Sequence, residues 1–266
     1  MRRLLLTGAA GIVGNALRPL LRDHHEQVVL TDLLEIPGDE LAENETFLRG
    51  DLTDAPFVES LAEDIDGIVH LGGLVGPDFT FDEVMGANIA GTRNVFEAAR
   101  IHDVPRVVYA SSHHALGFLE RTDPIDTTTA PRPDSFYGWS KAAGESLGAY
   151  YADKFGLKVL SIRIGFVGDS VIDERRLHTW ISAQDLFQLV EIGLTHPDLS
   201  YDIVYGASDN PAPFFDNENA ERLGYEPRDR SIDHLADPAL LTTPPAEGPE
   251  GKYIGGHFAT RTREID

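Results

Sequence analysis

Residues 4–14 read Leu4-Leu5-Leu6-Thr7-Gly8-Ala9-Ala10-Gly11-Ile12-Val13-Gly14, a short apolar run that breaks into glycines at every third position. The apolar run predicts a buried strand. Gly8 allows a tight turn out of it, Gly11 lets the backbone approach a bound group, and Gly14 lets the next helix pack on the sheet. Val13, Leu17, Leu20 and Leu21 then recur at helical spacing over residues 12–22. Such a unit aims free N–H groups and the positive end of a helix dipole at its loop, which suits a pyrophosphate. Three glycines alone fit any strand–turn–helix that needs small residues. The neighbouring segment adds the discriminating feature: a second β-branched run, residues 27–30, leads to Asp32. A carboxylate there accepts hydrogen bonds from adenosine ribose hydroxyls and repels a 2′-phosphate. The expectation is a dinucleotide site that takes NAD rather than NADP, built by Gly8, Ala10, Gly11, Ile12, Val13 and Asp32.

Outward from this unit, strands and helices alternate. Further strands are expected over residues 47–51, 67–71, 106–110 and 158–164. Helices are expected over 56–62, 88–100 and 137–155. After Gly165 the pattern weakens to a helix over 184–193, a strand over 202–205 and a stretch rich in Pro, Gly, Asn and Asp. Alternation of this kind implies parallel pairing with right-handed crossovers. The expected fold is α/β, a Rossmann-type doubly wound parallel sheet with a small irregular C-terminal substrate-binding part. Residues 1–266 are expected to form a single domain, with an NAD-binding core over 1–165 and a mainly substrate-binding part over 166–266.

Composition narrows the class. Apolar residues make up 42% of 266, enough for a sizeable core, and no apolar run approaches the roughly 20 residues that span a bilayer. Residues 1–6 read as the first strand rather than a secretion signal, and the expected compartment is the cytoplasm. There are no cysteines, which removes disulfides and thiolate chemistry. Acidic residues number 44 against 22 basic ones, a net charge of −22. A surface this negative excludes nucleic acid and anionic membranes as partners. It fits a salt-adapted host and an ordinary acidic enzyme equally well.

Tyr137-Gly138-Trp139-Ser140-Lys141 places a phenol and an ammonium one helical turn apart on a shared face. A cation beside a phenol favours the phenolate, a usable general base, and the lysine can also hold a ribose. Ser111-Ser112, at the end of the fifth strand, supply hydroxyls that can polarise a substrate alcohol.

Together, Thr7-Gly8-x-x-Gly11-x-x-Gly14, Asp51-Leu52, His70-Leu71-Gly72-Gly73, Asn88, Ser111-Ser112 and Tyr137-x-x-x-Lys141 resemble the extended branch of the short-chain dehydrogenase/reductase superfamily, the epimerase/dehydratase family. The resemblance runs from the first residue to about Gly168. It implies Tyr137 as base, Lys141 as its modulator and ribose ligand, and Ser112, five residues before Gly117, as the alcohol-binding hydroxyl. It also adds Asp51, Leu52, Leu71, Gly72, Gly73, Asn88 and Ile164 to the cofactor site. Asp51 has a second reading, a loop carboxylate that caps the next helix.

A closer similarity is to the uronate dehydrogenases. It rests on Ser111-Ser112-His113-His114, Arg163-Ile164-Gly165, Arg175-Arg176-Leu177-His178-Thr179-Trp180, Val204-Tyr205-Gly206-Ala207-Ser208 and Gly255-Gly256. That similarity implies NAD-dependent oxidation of a cyclic hexuronate at C1 to an aldarolactone. Val75, Ser112, His113, His114, Tyr137, Phe166 and Arg175 would line the substrate, with Arg175 on its carboxylate. Three features depart from the family pattern: His113, where asparagine is common; Phe166, where a small polar residue is usual; and the apolar loop Leu74-Val75-Gly76. These bear on substrate preference. The alternative activity is a sugar or nucleotide-sugar epimerase or reductase, although few residues after Lys141 are left to hold a nucleotide. No metal site is expected, and a homo-oligomer is.

Overall fold

A computed structural model describes residues 1–261. The first apolar run is strand β1 (Arg3–Thr7), and helix α1 (Ile12–His24) follows the glycine loop. Then come β2 (Gln27–Asp32), β3 (Glu45–Arg49), α2 (Ala55–Leu61) and β4 (Gly67–His70). A short helix α3 (Phe81–Val84) runs through a π-helical turn (Met85–Ala90) into α4 (Gly91–Ile101). Next are β5 (Arg106–Ser112), the long helix α5 (Phe136–Phe155) and β6 (Lys158–Ile164). The remaining part holds β7 (Phe166–Val167), α6 (Arg176–Thr179), β8 (Trp180–Ile181), α7 (Ala183–Thr195), β9 (Tyr201–Gly206), α8 (Glu218–Arg222) and α9 (Pro249–Lys252).

Seven strands form one sheet in the order β3-β2-β1-β4-β5-β6-β9, every pair parallel. The chain starts at a central strand, winds outward to β3, crosses back to β4 and winds the other way. This is the doubly wound α/β fold expected from the sequence, and its ligand site lies where the winding reverses, beyond the carboxyl ends of β1 and β4. The central strands are apolar on both faces because helices cover both. Leu4, Leu6, Val28 and Leu30 pack on the side of α1 and α7; Leu5, Val29, Val107 and Val159 pack on the side of α2, α4 and α5. Each such leucine or valine contributes about 1.5–3 kcal/mol by burial.

Three differences from the expected elements bear on the site. Strand β5 continues through Ser111 and Ser112, so both hydroxyls are held by the ladder to Arg163 and Ile164. Asn88 lies in the π-helical turn rather than at the start of a regular helix. A two-stranded parallel pair, β7 with β8, follows the main sheet and aligns Phe166 with Trp180. Among the described residues no helix is long and apolar enough to cross a membrane.

Candidate active site

The glycine loop is built for close approach. Gly8 sits at φ +71°, and a Cβ there would lie 2.7 Å from the Gly72 nitrogen. The missing side chain of Gly14 makes room for the carbonyls of Gly8 and Ala9. Helix α1 begins at Gly11 with no capping side chain and no acidic residue in its first turn. Its first N–H groups and dipole are therefore available to an anion, and a cradle this tight and uncapped fits a dinucleotide's pyrophosphate. Ile12, at the tip, is 78% exposed. Asp32 ends β2 beside the loop, accepting from the Ala10 N–H (2.9 Å) and the Leu34 N–H (3.0 Å). Asp51 accepts from Thr53 N–H (2.8 Å), whereas the cap of α2 is Asp54, on Phe57 N–H (3.2 Å). The capping role considered for Asp51 thus belongs to its neighbour. Leu52 packs beside Gly72 and Gly91, and its carbonyl receives Asn94 (2.9 Å).

A buried polar chain joins β1, β4 and α4. Thr7 Oγ1 lies 2.7 Å from His70 Nδ1, and His70 Nε2 lies 3.0 Å from Thr92 Oγ1. Thr7 also accepts from Gly72 N–H (3.1 Å), which fixes the turn after β4. Burial, with Lys141 nearby, pushes His70 down to about 3, so it is neutral. Asn88 holds the same loop further on. Its oxygen accepts from Leu74 N–H (2.7 Å), and its amide donates to Leu74 O (3.0 Å) and Ser140 Oγ (2.9 Å). Asn88 therefore links the loop after β4 to α5, the helix that carries the tyrosine–lysine pair. Gly73 leaves room for it, and Leu71 donates its N–H to Thr7 O (3.2 Å).

Helix α5 starts at Ser135, whose Oγ accepts from Gly138 N–H (3.1 Å). The first turn then presents Tyr137, and one turn later Lys141; both are buried, as is Ser112. The Ser112 hydroxyl accepts from the His114 N–H (3.2 Å) and lies near enough to the Tyr137 phenol to favour its ionised form. Its neighbour Ser111 donates instead to Glu145 (2.5 Å), which also forms a buried bidentate pair with Arg163 (2.8 and 2.9 Å). Geometry thus separates the two serines, and Ser112 is the one at the phenol. The Lys141 ammonium lies 5.7 Å from the Tyr137 ring centroid and 5.2 Å from that of Tyr109. Burial pushes Tyr137 up to about 12, opposed by the Ser112 hydrogen bond and reinforced by Asp134. Burial also pushes Lys141 down to about 8. Desolvation is the largest influence on the phenol, and it acts against the ionised form.

The two histidines part company. His113 Nδ1 donates to Ile164 O (3.0 Å), the carbonyl at the end of β6, and Nε2 receives Arg175 Nη1 (3.0 Å). His113 is therefore neutral, and both its nitrogens are committed within the protein. His114 Nδ1 lies 2.6 Å from Asp134 Oδ2, and its ring stacks on Phe258 at 3.9 Å between centroids. Burial and Arg175 hold His114 well below the usual histidine value, while burial raises Asp134 to about 6. At neutral pH the pair is a neutral imidazole against a carboxylate.

Arg175 is buried, and Nη1 makes its contacts, to His113 and to Ile254 O (3.2 Å). Gly256, at φ +60°, lies against its Nε. Neighbouring guanidiniums have carboxylates: Arg176 pairs with Asp173, and Arg121 with Glu174 (2.8 Å). Among the described residues no carboxylate pairs with Arg175. Phe166 is half-buried under the Arg176 guanidinium, 4.2 Å from its ring centroid. Val75 stands 65% exposed on the loop after β4. Ser112, His113, His114, Tyr137 and Arg175 thus form one connected group, with Lys141 behind the tyrosine. Sequence reading missed Asp134, Phe258 and the Thr7–His70–Thr92 chain. The glycines around Asp134 were the available signal.

The NAD dependent epimerase/dehydratase family matches residues 4–169. A uronate dehydrogenase of Pseudomonas putida is 42% identical over 97% of this chain and 95% of its own length. A uronate dehydrogenase of Agrobacterium fabrum is 38% identical over 97% of both chains. Among solved structures, a glucuronic acid dehydrogenase from Chromohalobacter salexigens superposes with a TM-score of 0.90 at 38% identity, covering 98% of this chain and 97% of its own. A uronate dehydrogenase from Agrobacterium tumefaciens, solved as a point mutant complexed with NAD, gives 0.90 at 36% identity over 98% of both chains. With its glycine loop, Asp32 and the Ser112, Tyr137, Lys141 group in the places described, the chain belongs to the NAD dependent epimerase/dehydratase family.

Proposed function

We propose that the chain oxidises a cyclic hexuronate, glucuronate or galacturonate, at C1 with NAD and releases the aldarolactone. The observation that carries this reading is Arg175, a buried guanidinium beside the Ser112, His114 and Tyr137 group that has no carboxylate partner among the described residues. An unmatched buried charge is costly, and removing the partner of a buried ion pair typically costs about 3–5 kcal/mol. A substrate carboxylate supplies the missing charge, and a planar guanidinium binds its two oxygens together. The similarity to uronate dehydrogenases supports the same class of acid.

The chain's residues then divide the work. Arg175 orients the sugar by its carboxylate. Ser112 polarises the C1 hydroxyl, and Tyr137 takes its proton. Lys141 holds the nicotinamide ribose and keeps a positive charge beside the phenol, which must be ionised to act as base. Bound NAD supplies the hydride acceptor and the positive ring charge that assists that ionisation. C1 loses a proton from oxygen and a hydride from carbon, and the ring closes no new bond.

Purified protein with NAD is offered uronic acids, neutral aldoses and UDP-sugars, and NADH absorbance is followed. NADH is expected with glucuronate or galacturonate and not with the neutral aldoses. No NADH with either uronate ends this reading. An epimerase returns its hydride and accumulates none.

A further inference from the structure

Asp134 lies in the loop before α5, where glycines from three segments make room for one carboxyl group. A Cβ on Gly117 or Gly255 would overlap Oδ2, and one on Gly138 would lie 3.1 Å from Oδ1. Oδ1 accepts from the Ser135 hydroxyl (2.9 Å), and Oδ2 meets His114 Nδ1 at 2.6 Å. The His114 ring cannot turn freely. It is stacked on Phe258 and lies 4.2 Å from the His113 ring and 6.0 Å from that of Tyr137, centroid to centroid. Its Nε2 has no hydrogen-bond partner among the described residues.

We propose that Asp134 is the positioning residue that locks His114 as its Nδ1–H tautomer, so that Nε2 offers a lone pair to a hydroxyl of the sugar substrate. An ionised carboxylate only accepts, so the proton between the pair belongs to Nδ1. His114 is neutral, since burial and the Arg175 cation oppose a second proton. Nε2 is then an acceptor. A substrate hydroxyl satisfies it, whereas a deoxy carbon leaves it unmatched. This makes His114 a selector for a hydroxyl at one ring position, set by Asp134 from behind. The inference rests on the sugar-acid reading for its substrate but not for its tautomer.

The test is Asp134→Asn. Its oxygen stays on the Ser135 hydroxyl, which turns its NH2 onto His114 Nδ1 and forces the proton to Nε2. Nitrogen NMR of histidine-labelled holoenzyme with NAD reads this directly, with His114→Gln identifying the signals. The expected result is an unprotonated Nε2 in the wild type and a protonated one in Asp134→Asn. The uronate KM is expected to rise about tenfold while the KM for NAD is unchanged. If Asp134→Asn does not fold, the wild-type spectrum and a series of deoxy-uronates still decide. One deoxy position is expected to lose about tenfold in kcat/KM. A protonated Nε2 in the wild type, an unchanged tautomer in the variant, or equal tolerance of every deoxy-uronate overturns the proposal. Absence of uronate oxidation together with the expected spectrum counts against the substrate reading alone.

Discussion

Arg175 and His113 share one task. His113 is anchored through Nδ1 on the Ile164 carbonyl and steadies the guanidinium through Nε2. The fork is held by a base that carries no charge, so the guanidinium charge is left unneutralised, as the proposed carboxylate ligand requires. Arg175→Ala removes two charge-assisted hydrogen bonds, each worth about 1.5–3 kcal/mol. The expected outcome is a uronate KM raised roughly hundredfold or more, with NAD affinity unchanged; steady-state kinetics with each substrate varied checks it, and an unchanged uronate KM removes Arg175 from the site. Tyr137 behaves differently at the same scale. Spacing alone put a cation one turn from a phenol, but burial sets the phenol at about 12. In the proposed function, a base with so high a value works only when positive charge gathers beside it, which is the part given there to Lys141 and the cofactor.

Among the elements, the π-helical turn Met85–Ala90 is the joint of the site. A regular helix would present position 88 differently; the wider turn points Asn88 at both the N–H and the carbonyl of Leu74 and at Ser140 on α5. Asn88→Ala leaves a half-buried N–H and carbonyl at Leu74 without their partner. It is expected to cost about 1–3 kcal/mol and to weaken NAD binding through the loop after β4. Urea unfolding and a cofactor titration measure the two effects; retained loop geometry with full NAD affinity would show that the loop holds itself. The sheet order was legible because apolar runs, turn glycines and helical spacing are local signals. The shared face of Tyr137 and Lys141 on α5 and the position of Ser112 at the end of β5 were legible because one-turn spacing and strand runs are local, whereas Arg175 was singled out by the family resemblance alone. Asp134 was not, since its partner His114 lies 20 residues earlier and only the folded loop joins them. The Glu145–Arg163 pair and the Thr7–His70–Thr92 chain were hidden for the same reason: each spans separate elements.

For the whole molecule, charge is the outstanding property. A net −22 on 266 residues makes the native surface repel itself. Salt shortens the Debye length to about 8 Å at physiological ionic strength and about 3 Å at 1 M, and so relieves that repulsion. Thermal melting is therefore expected at higher temperature as potassium chloride is added, and the gain is expected to shrink in a variant with several exposed carboxylates neutralised. A melting temperature indifferent to salt would place the acidic surface outside any role in stability.

Residues 254–258 close over the candidate site that the glycine loop begins. Ile254 gives its carbonyl to Arg175, Gly255 donates its N–H to Gly117 (2.9 Å) beside Asp134, and Phe258 lies flat on His114. During synthesis the glycine loop and the tyrosine helix therefore leave the ribosome well before residues 254–258, which close against Arg175 and His114.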